Sequence, residues 1–388
     1  MTSSCPYCFA PFDARTIAFR CIADPRTCAP VEDLALQEFL HEARPRPRSA
    51  VTIRRVRRFA SLPTRWPCDH CGTPTTKVVC TRCHNELPSQ FRGGAARSVA
   101  LVGAKAAGKS HFVAVLVNEL ESTWHARFGA TLGAADDRTI TRYRDIRRRL
   151  YDDGLTLQAT PTVISNPELR YPLAFQLRSG AGQKRHDVLN LVFYDSAGED
   201  LGDAELLERD ARYVTASDAV LAILDPLQLP SVRRQLDGRL DLPDQGPDPL
   251  ELLTRITLGV RARLGLKAEA RVDLPLGLVF AKLDAVRALM DQESPALRES
   301  PHAGAYREDD GVAVSESIRA HIHQWAGPRL DNFVQEHWSA ARWFGVSALG
   351  RAPQGTALTK GVSPVRVDEP LLWLASRWGT VRMEGGGR

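Results

Sequence analysis

Residues 98–110 read SVALVGAKAAGKS, an apolar run followed by a loop rich in glycine and lysine. The stretch at 103–110 matches the pattern G-x-x-x-x-G-K-[ST]. It follows a predicted strand at 98–103 and opens a predicted helix at 109–122, which is the context that the pattern requires. Backbone N–H groups of such a loop and of the helix N-terminus form a cradle for phosphate oxygens. The stretch therefore predicts a nucleotide-binding loop.

The side chains of this loop indicate how it would act. Lys109 would reach the β- and γ-phosphates and assist phosphoryl transfer, and the Ser110 hydroxyl would ligate Mg²⁺. Lys105 either approaches the phosphates or points to solvent, and the sequence leaves both open. The predicted nucleotide contacts in this region are Gly103, Ala104, Lys105, Ala106, Ala107, Gly108, Lys109, Ser110 and His111.

After the loop, short apolar runs alternate with amphipathic stretches. Strands are predicted at 98–103, 171–178, 188–195, 219–225, 276–281 and 342–347. Helices are predicted at 109–122, 136–151, 203–215, 249–264, 313–336 and 368–378. Near-continuous apolar strands that alternate with helices favour an α/β fold with a doubly wound, mostly parallel sheet.

The predicted strand at 188–195 runs into an acidic segment, DSAGED at 195–200. An Asp at the end of a strand beside the first strand is expected on the Mg²⁺ side of a nucleotide site. The segment resembles the D-x-x-G motif of the Ras-like small GTPases, which are P-loop proteins. The resemblance implies that Asp195 holds Mg²⁺ through water and that the Gly198 N–H contacts the γ-phosphate. The following residues would form the second switch, which moves with the nucleotide state.

Two later segments extend this resemblance to the nucleotide base. AKLD at 281–284 is similar to the family's [NT]-K-x-D, and SALG at 347–350 is similar to its S-A-[KL]. The resemblance implies that the Lys282 stem packs along a guanine, whose N1–H and N2–H₂ donate to the Asp284 carboxylate. Adenine presents the opposite pattern and would be rejected, while the backbone near Ala348 would contact the guanine O6. The implied base contacts are Lys282, Asp284, Ser347, Ala348 and Leu349.

The sequence departs from the family pattern at two positions. Glu199 stands where many Ras-like proteins have the Gln that orients the attacking water, so hydrolysis is expected to be slow or to need a partner. Ala281 replaces Asn or Thr, which removes a supporting hydrogen bond at the base. For the first switch, Thr162 is predicted to ligate Mg²⁺, with Thr160 as the alternative. The implied catalytic residues are Lys109, Glu199 and Thr162.

All eight cysteines lie within the first 83 residues. In a chain without a secretory signature, paired cysteines at short spacing indicate zinc sites. The C-x₂-C pairs at 68–71 and 80–83 predict one compact Cys₄ ribbon, and the other four cysteines predict a second site. A crossed arrangement between the two halves stays open. The predicted ligands of about two zinc ions are Cys5, Cys8, Cys21, Cys28, Cys68, Cys71, Cys80 and Cys83.

These features divide the chain into a zinc-binding module at 1–95 and a GTPase-like domain at 96–388, with insertions near 125–160 and 294–312. The insertion at 294–312 is predicted to be a loop. The Arg-rich stretch at 44–65 is predicted to link the two zinc sites. A structural or protein-docking role is favoured for the module, and nucleic-acid binding is the alternative. The phrases CPYCF, CTRCHNELP and GAKAAGKSH further resemble the double-GTPase-type proteins of bacterial conflict systems.

Composition agrees with an ordinary globular protein. The chain has 388 residues, is 43% hydrophobic and 25% charged, and carries a formal net charge of +5, which excludes collagen-like and fully disordered classes. It has no apolar run long enough for a transmembrane helix and no secretory signal at its start, so a cytoplasmic protein without membrane contact is expected. Lys105, Lys109 and Lys282 are three of only seven lysines, which indicates that these positions need a compact ammonium.

The sequence as a whole predicts a Mg²⁺-dependent switch that binds GTP and GDP and hydrolyses GTP slowly. A protein partner is expected at the switch regions or at the zinc ribbons. The alternatives are a P-loop ATPase, or a nucleotide-bound and zinc-stabilised scaffold with negligible turnover.

Overall fold

The computed structural model describes residues 4–13, 15–44, 46–57, 61–88, 97–158, 171–179, 188–193, 213–240 and 242–385. The chain forms two compact units. Unit 1 comprises Met1–Ala96 with Arg170–Pro172, and unit 2 comprises Arg97–Leu169 with Leu173–Arg388. Among the described residues, no helix is long and apolar enough to cross a membrane.

Unit 1 is built on a three-stranded antiparallel sheet in which β1 lies between β4 and β7. Its elements are β1 (Thr16–Arg20), β2 (Val31–Glu32), α1 (Leu34–Leu40), β3 (Pro47–Arg48), β4 (Val51–Arg55), β5 (Trp66–Pro67), β6 (Pro74–Thr75) and β7 (Lys77–Val79). Ala18 and Phe19 at the centre of β1 are fully buried. Asp33 caps α1 by accepting the N–H of Leu36 and also pairs with the buried guanidinium of Arg20. This ion pair ties the sheet to the helix.

The prediction of a linker at 44–65 is wrong for the part that forms β3 and β4. β4 pairs with β1 over its whole length. Its β-branched residues favour an extended backbone. Alternation along the strand buries Thr52 while Ile53 and Arg55 face solvent. Arg55 is therefore exposed on a regularly paired strand and not on a linker.

Unit 2 contains a parallel sheet in the order β15-β13-β12-β8 and an antiparallel sheet in the order β11-β10-β9. Its strands are β8 (Val99–Gly103), β9 (Ala130–Ala134), β10 (Leu173–Ser179), β11 (Val188–Phe193), β12 (Ala219–Leu224), β13 (Leu276–Phe280), β14 (Ala305–Arg307), β15 (Ala341–Gly345) and β16 (Arg382–Glu384). Its helices are α2 (Lys109–Ser122), α3 (Trp124–Phe128), α4 (Asp137–Arg147), α5 (Pro230–Leu236), α6 (Pro249–Leu264), α7 (Leu283–Val286), α8 (Glu308–Ala326), α9 (Arg329–His337) and α10 (Glu369–Arg377). Every residue of β12 and β13 is buried, as expected for parallel strands covered on both faces. The predicted α/β class is confirmed.

The six predicted strands are present, and the structure adds β9, which pairs antiparallel with β10. The predicted helix at 313–336 is two helices, because Gly327 adopts a positive φ of 70° and Pro328 follows it. The predicted loop at 294–312 contains β14 and the start of α8, whose acidic first turn suits a helix N-terminus. The predicted helix at 203–215 falls mostly outside the described residues.

The carboxyl ends of the parallel strands meet at one edge of the sheet. β8, β12, β13 and β15 end there at Gly103, Leu224, Phe280 and Gly345. In open α/β sheets, ligands bind beyond this edge. The phosphate loop, AKLD and SALG all follow these strand ends, so the fold brings these three motifs together.

Candidate functional site

The phosphate loop connects β8 to α2 through two glycines that other residues cannot replace easily. A Cβ on Gly103 would lie 2.7 Å from the Ile223 carbonyl oxygen on the neighbouring strand. Gly108 precedes α2 with a φ of 97°, a conformation that favours glycine. The loop backbone is therefore packed against the sheet while its N–H groups lie at the start of α2.

Lys109 is the buried cation of this loop. Its ammonium donates hydrogen bonds to the carbonyl oxygens of Gly103, at 2.7 Å, and Ala104, at 2.8 Å. The residue is only 7% exposed, so its charge lies inside the loop instead of in bulk solvent. A buried ammonium at this position is suited to hold phosphate oxygens.

The carboxylate of Asp284 is held in place by Ser347 of the SALG segment. The Ser347 hydroxyl donates to Asp284 Oδ1 at 2.5 Å and accepts the N–H of Gly350 at 2.8 Å. Ser347 is buried, so its hydroxyl has little freedom to turn away. Within the described chain, Asp284 Oδ2 accepts no hydrogen bond, which leaves an acceptor for a ligand.

Lys282 is anchored by a residue that the sequence did not single out. Its ammonium donates to Asp225 Oδ2 at 2.6 Å, and Asp225 is buried directly after β12. Lys282 adopts a positive φ of 55°. The signal available in the sequence was an Asp at the end of an apolar strand, at the same edge as the other motifs.

One cavity is lined by the phosphate loop on one side and by the AKLD and SALG segments on the other. Its volume of about 540 Å³ is suited to a small ligand or cofactor. Among its lining residues are ten of the predicted nucleotide contacts: Lys105, Ala106, Gly108, Lys109, Ser110, His111, Lys282, Asp284, Ala348 and Leu349. The predicted contacts Gly103, Ala104, Ala107 and Ser347 lie in the same motifs but do not line the cavity. The phosphate loop and the base motifs thus face one space.

Five of the predicted residues lie outside the described part of the chain. They are Thr160, Thr162, Asp195, Gly198 and Glu199. Ser110 is therefore the one predicted Mg²⁺ ligand that the structure describes, and it lines the cavity.

His111 connects the phosphate loop to a more distant part of the chain. Its Nε2 accepts the N–H of Leu157 at 3.0 Å. Burial, together with the nearby Lys282 ammonium, lowers the pKa of His111 to about 4. The ring is therefore neutral at pH 7 and can act as this acceptor.

The eight cysteines of unit 1 form two groups of four. The groups are Cys5, Cys8, Cys80 and Cys83, and Cys21, Cys28, Cys68 and Cys71. The predicted ribbon of four consecutive cysteines is wrong, and the crossed arrangement that the sequence left open is present. The reason is the antiparallel pairing of β1 with β7. It places the end of β7 beside the start of β1, and the end of β1 beside the start of β7.

The spacing of the sulfur atoms fits tetrahedral zinc. Zn–S bonds of about 2.3 Å place the sulfurs about 3.8 Å apart. The Sγ–Sγ distances are 3.8 Å for Cys5 and Cys83, 3.7 Å for Cys8 and Cys80, 3.7 Å for Cys21 and Cys71, and 4.0 Å for Cys28 and Cys68. Backbone N–H groups two residues after Cys5, Cys21 and Cys80 point at those sulfurs from 3.4 Å. Each group could therefore hold one metal ion.

Comparisons with known proteins show the family of the chain. Residues 97–321 match the family model for the Double-GTPase 2 domain. The chain belongs to this family. The resemblance to double-GTPase proteins predicted from the sequence is confirmed.

The double-GTPase chain is also similar to particular proteins. SaeC of Mycolicibacterium smegmatis, provisionally named an ESX-1 scaffolding and assembly protein, is 32% identical over 325 residues, which cover 78% of this chain and 80% of SaeC. The small GTPase Arl6 (BBS3) of Trypanosoma brucei is 13% identical with a TM-score of 0.27, covering 73% of this chain and 97% of that chain. A chain of the signal recognition particle receptor SRb-GTP/SRX complex of Chaetomium thermophilum is 14% identical with a TM-score of 0.32, covering 73% and 99%.

A third polar group in the double-GTPase chain, formed by His302, Asp310 and Glu369, does not fit a metal ion. The Arg366 guanidinium already pairs with both carboxylates. Burial lowers the pKa of His302 to about 4, and its Nδ1 accepts the N–H of Arg307 at 3.1 Å. The ring proton is therefore on Nε2, the atom that faces Glu369, and no lone pair is left for a metal. Asp310 and Glu369 are therefore ion-pair partners of Arg366, with the neutral ring of His302 beside them.

Proposed function

We propose that the chain is a Mg²⁺-dependent switch that binds GTP and GDP and hydrolyses GTP slowly. The observation that carries this proposal is the position of Asp284. Its carboxylate is fixed by Ser347 and lines the same cavity as the phosphate loop. A fixed acceptor suits the N1–H and N2–H₂ donors of guanine. Adenine presents the opposite hydrogen-bonding pattern and would bind poorly, which weighs against the ATPase alternative.

The phosphate half of the cavity supports phosphoryl transfer by positioning and charge. The buried Lys109 ammonium would hold β- and γ-phosphate oxygens, and loop N–H groups would stabilise the same charge. Ser110 would hold Mg²⁺, which neutralises charge on the phosphates when bound. Thr162, Asp195, Gly198 and Glu199 are proposed to complete the Mg²⁺ and γ-phosphate contacts.

A nucleotide-bound scaffold with negligible turnover is the second candidate. It is favoured by the similarity to SaeC, whose provisional name describes scaffolding and assembly. In either case, protein partners would dock at the switch regions or at unit 1.

Phosphate release from GTP separates the two candidates. The full-length, metal-loaded chain in Mg²⁺ should release phosphate at about 10⁻⁴ to 10⁻³ s⁻¹ without a partner, the range of a small GTPase that lacks its activator. Lys109→Ala, purified in parallel, controls for contaminating GTPases. Tight GTP binding with no release above that control would favour the scaffold.

We further propose that unit 1 holds two zinc ions, one in each group of four cysteines. Folded structure in so small a module would depend on them. Elemental analysis of the intact chain should give two zinc per chain.

Two double variants test how the cysteines are grouped. Cys5→Ser with Cys80→Ser disrupts one centre of the crossed arrangement, and one zinc should remain. Cys68→Ser with Cys80→Ser disrupts both centres, and no zinc should remain. Because the consecutive arrangement predicts the opposite result for each variant, a reversed pattern would contradict the grouping.

A further inference from the structure

Part of the cavity wall is a paired segment that lies outside the family motifs. The Thr156 N–H donates to the Thr356 carbonyl oxygen at 2.8 Å, and the Leu358 N–H donates to the Gly154 carbonyl oxygen at 2.7 Å. We call residues 154–158 and 351–358 together the clasp. Thr156, Leu157 and Gln158 on one arm, and Arg351, Ala352, Pro353 and Gly355 on the other, line the cavity.

Both arms of the clasp are fastened to nucleotide motifs. The first arm is held at Leu157, whose N–H donates to His111 at the start of α2. The second arm continues directly from SALG, and the Ser363 N–H, beyond the arm, donates to the Leu349 carbonyl oxygen just before its start at 3.1 Å. The clasp therefore connects the base side of the cavity with the phosphate side.

Another part of the cavity wall is apolar, and its position is also fixed by hydrogen bonds. Leu240, Leu242 and Pro243 line the cavity. The loop that follows them is pinned by Gln228, whose Oε1 accepts the N–H of Gly246 at 2.7 Å. An apolar wall beside the clasp suits the flat surface of a base.

Arg351 is the cation of the clasp. It lies three residues after Ala348, its side chain is exposed, and it makes no hydrogen bond or ion pair with the other described residues. The charged residues that line the described cavity are Lys105, Lys109, Lys282, Arg351 and Asp284. An exposed guanidinium that lines this cavity is suited to bind the oxygen atoms of a ribose or phosphate.

We propose that Arg351 contacts the ribose–phosphate part of a bound guanine nucleotide, and that the clasp must open before the nucleotide leaves. This inference rests on the proposed guanine-nucleotide function. It adds a contact residue and a release step that the family motifs do not supply. Opening would break the two backbone hydrogen bonds between the arms as well as the contact of Arg351.

The test is the dissociation rate of tritiated GDP, chased with unlabelled GDP from the full-length, zinc- and Mg²⁺-loaded chain. An unmodified nucleotide avoids a dye on the ribose, where the clasp would meet it. Arg351→Ala should release GDP about tenfold faster or more, as expected for loss of a charge-assisted hydrogen bond. Lys360→Ala is the matched control, because it removes the same charge from an exposed position nearby that does not line the cavity.

Three outcomes would overturn the proposal. If Arg351→Ala releases GDP at the wild-type rate, the clasp contact is wrong while the guanine-nucleotide function stands. If Lys360→Ala accelerates GDP release equally, the effect comes from the overall charge of the chain and not from a contact of Arg351 with the nucleotide. If the wild-type chain binds no GDP, the proposed function fails and the clasp fails with it.

Discussion

Lys109→Ala should weaken binding of GDP and GTP by at least about 100-fold in the presence of Mg²⁺, because it removes the buried cation of the phosphate loop. The Lys109 side chain is almost wholly shielded from water and ends between the carbonyl oxygens of Gly103 and Ala104. Screening by solvent is weak at such a site, so the loss of the Lys109 charge is expected to lower nucleotide affinity far more than the loss of a surface charge. Isothermal titration calorimetry measures the effect.

Lys105→Ala is the matched control for this variant. It removes a charge from the same loop, but from an exposed side chain, so the expected loss is about fivefold or less. Thermal unfolding should show that both variants stay folded. A folded Lys109→Ala chain that binds GDP within about fivefold of wild type would place the nucleotide elsewhere.

Asp284→Asn should weaken GTP binding by about 100-fold or more and allow xanthosine triphosphate to bind. The amide presents an N–H₂ donor where guanine also donates, so the pair becomes mismatched. Xanthine carries an oxygen at position 2, which accepts from the same amide. Competition between the two triphosphates for the variant measures the change.

Asp284→Ala separates the loss of the carboxylate from the gain of a donor. It should lose GTP affinity without gaining affinity for xanthosine triphosphate. Asp284→Asn that keeps its GTP affinity within about threefold would contradict the assignment of this carboxylate to the base.

The nucleotide motifs could be predicted because each depends on local sequence. Gly103 and Gly108 satisfy constraints set by the adjoining strand and helix, and Lys109 follows directly. The four parallel strands were visible as apolar runs. Since such strands end at one sheet edge, the motifs that follow them had to converge.

The grouping of the cysteines could not be predicted, because it depends on which strands pair. Sequence spacing favours neighbours, so it grouped Cys68 and Cys71 with Cys80 and Cys83. The pairing of β1 with β7 instead brings Cys80 and Cys83 to Cys5 and Cys8. The sequence of a strand gives little indication of which distant strand it pairs with.

Contacts between distant segments were missed for the same reason. Asp225 meets Lys282 across 57 positions of sequence, and Thr156 meets Thr356 across a far longer interval. Asp225 is visible in the sequence only as an acid at the end of an apolar strand, and Thr156 and Thr356 look like ordinary loop residues. Their roles depend on the sheet edge that brings the segments together.

The most direct test of the central claim compares the affinities of the full-length chain for GDP and ADP under identical Mg²⁺ conditions. A guanine site built on Asp284 predicts that GDP binds at least about 100-fold more tightly than ADP. Equal affinities, or a preference for ADP, would contradict the assignment of this double-GTPase chain to guanine nucleotides.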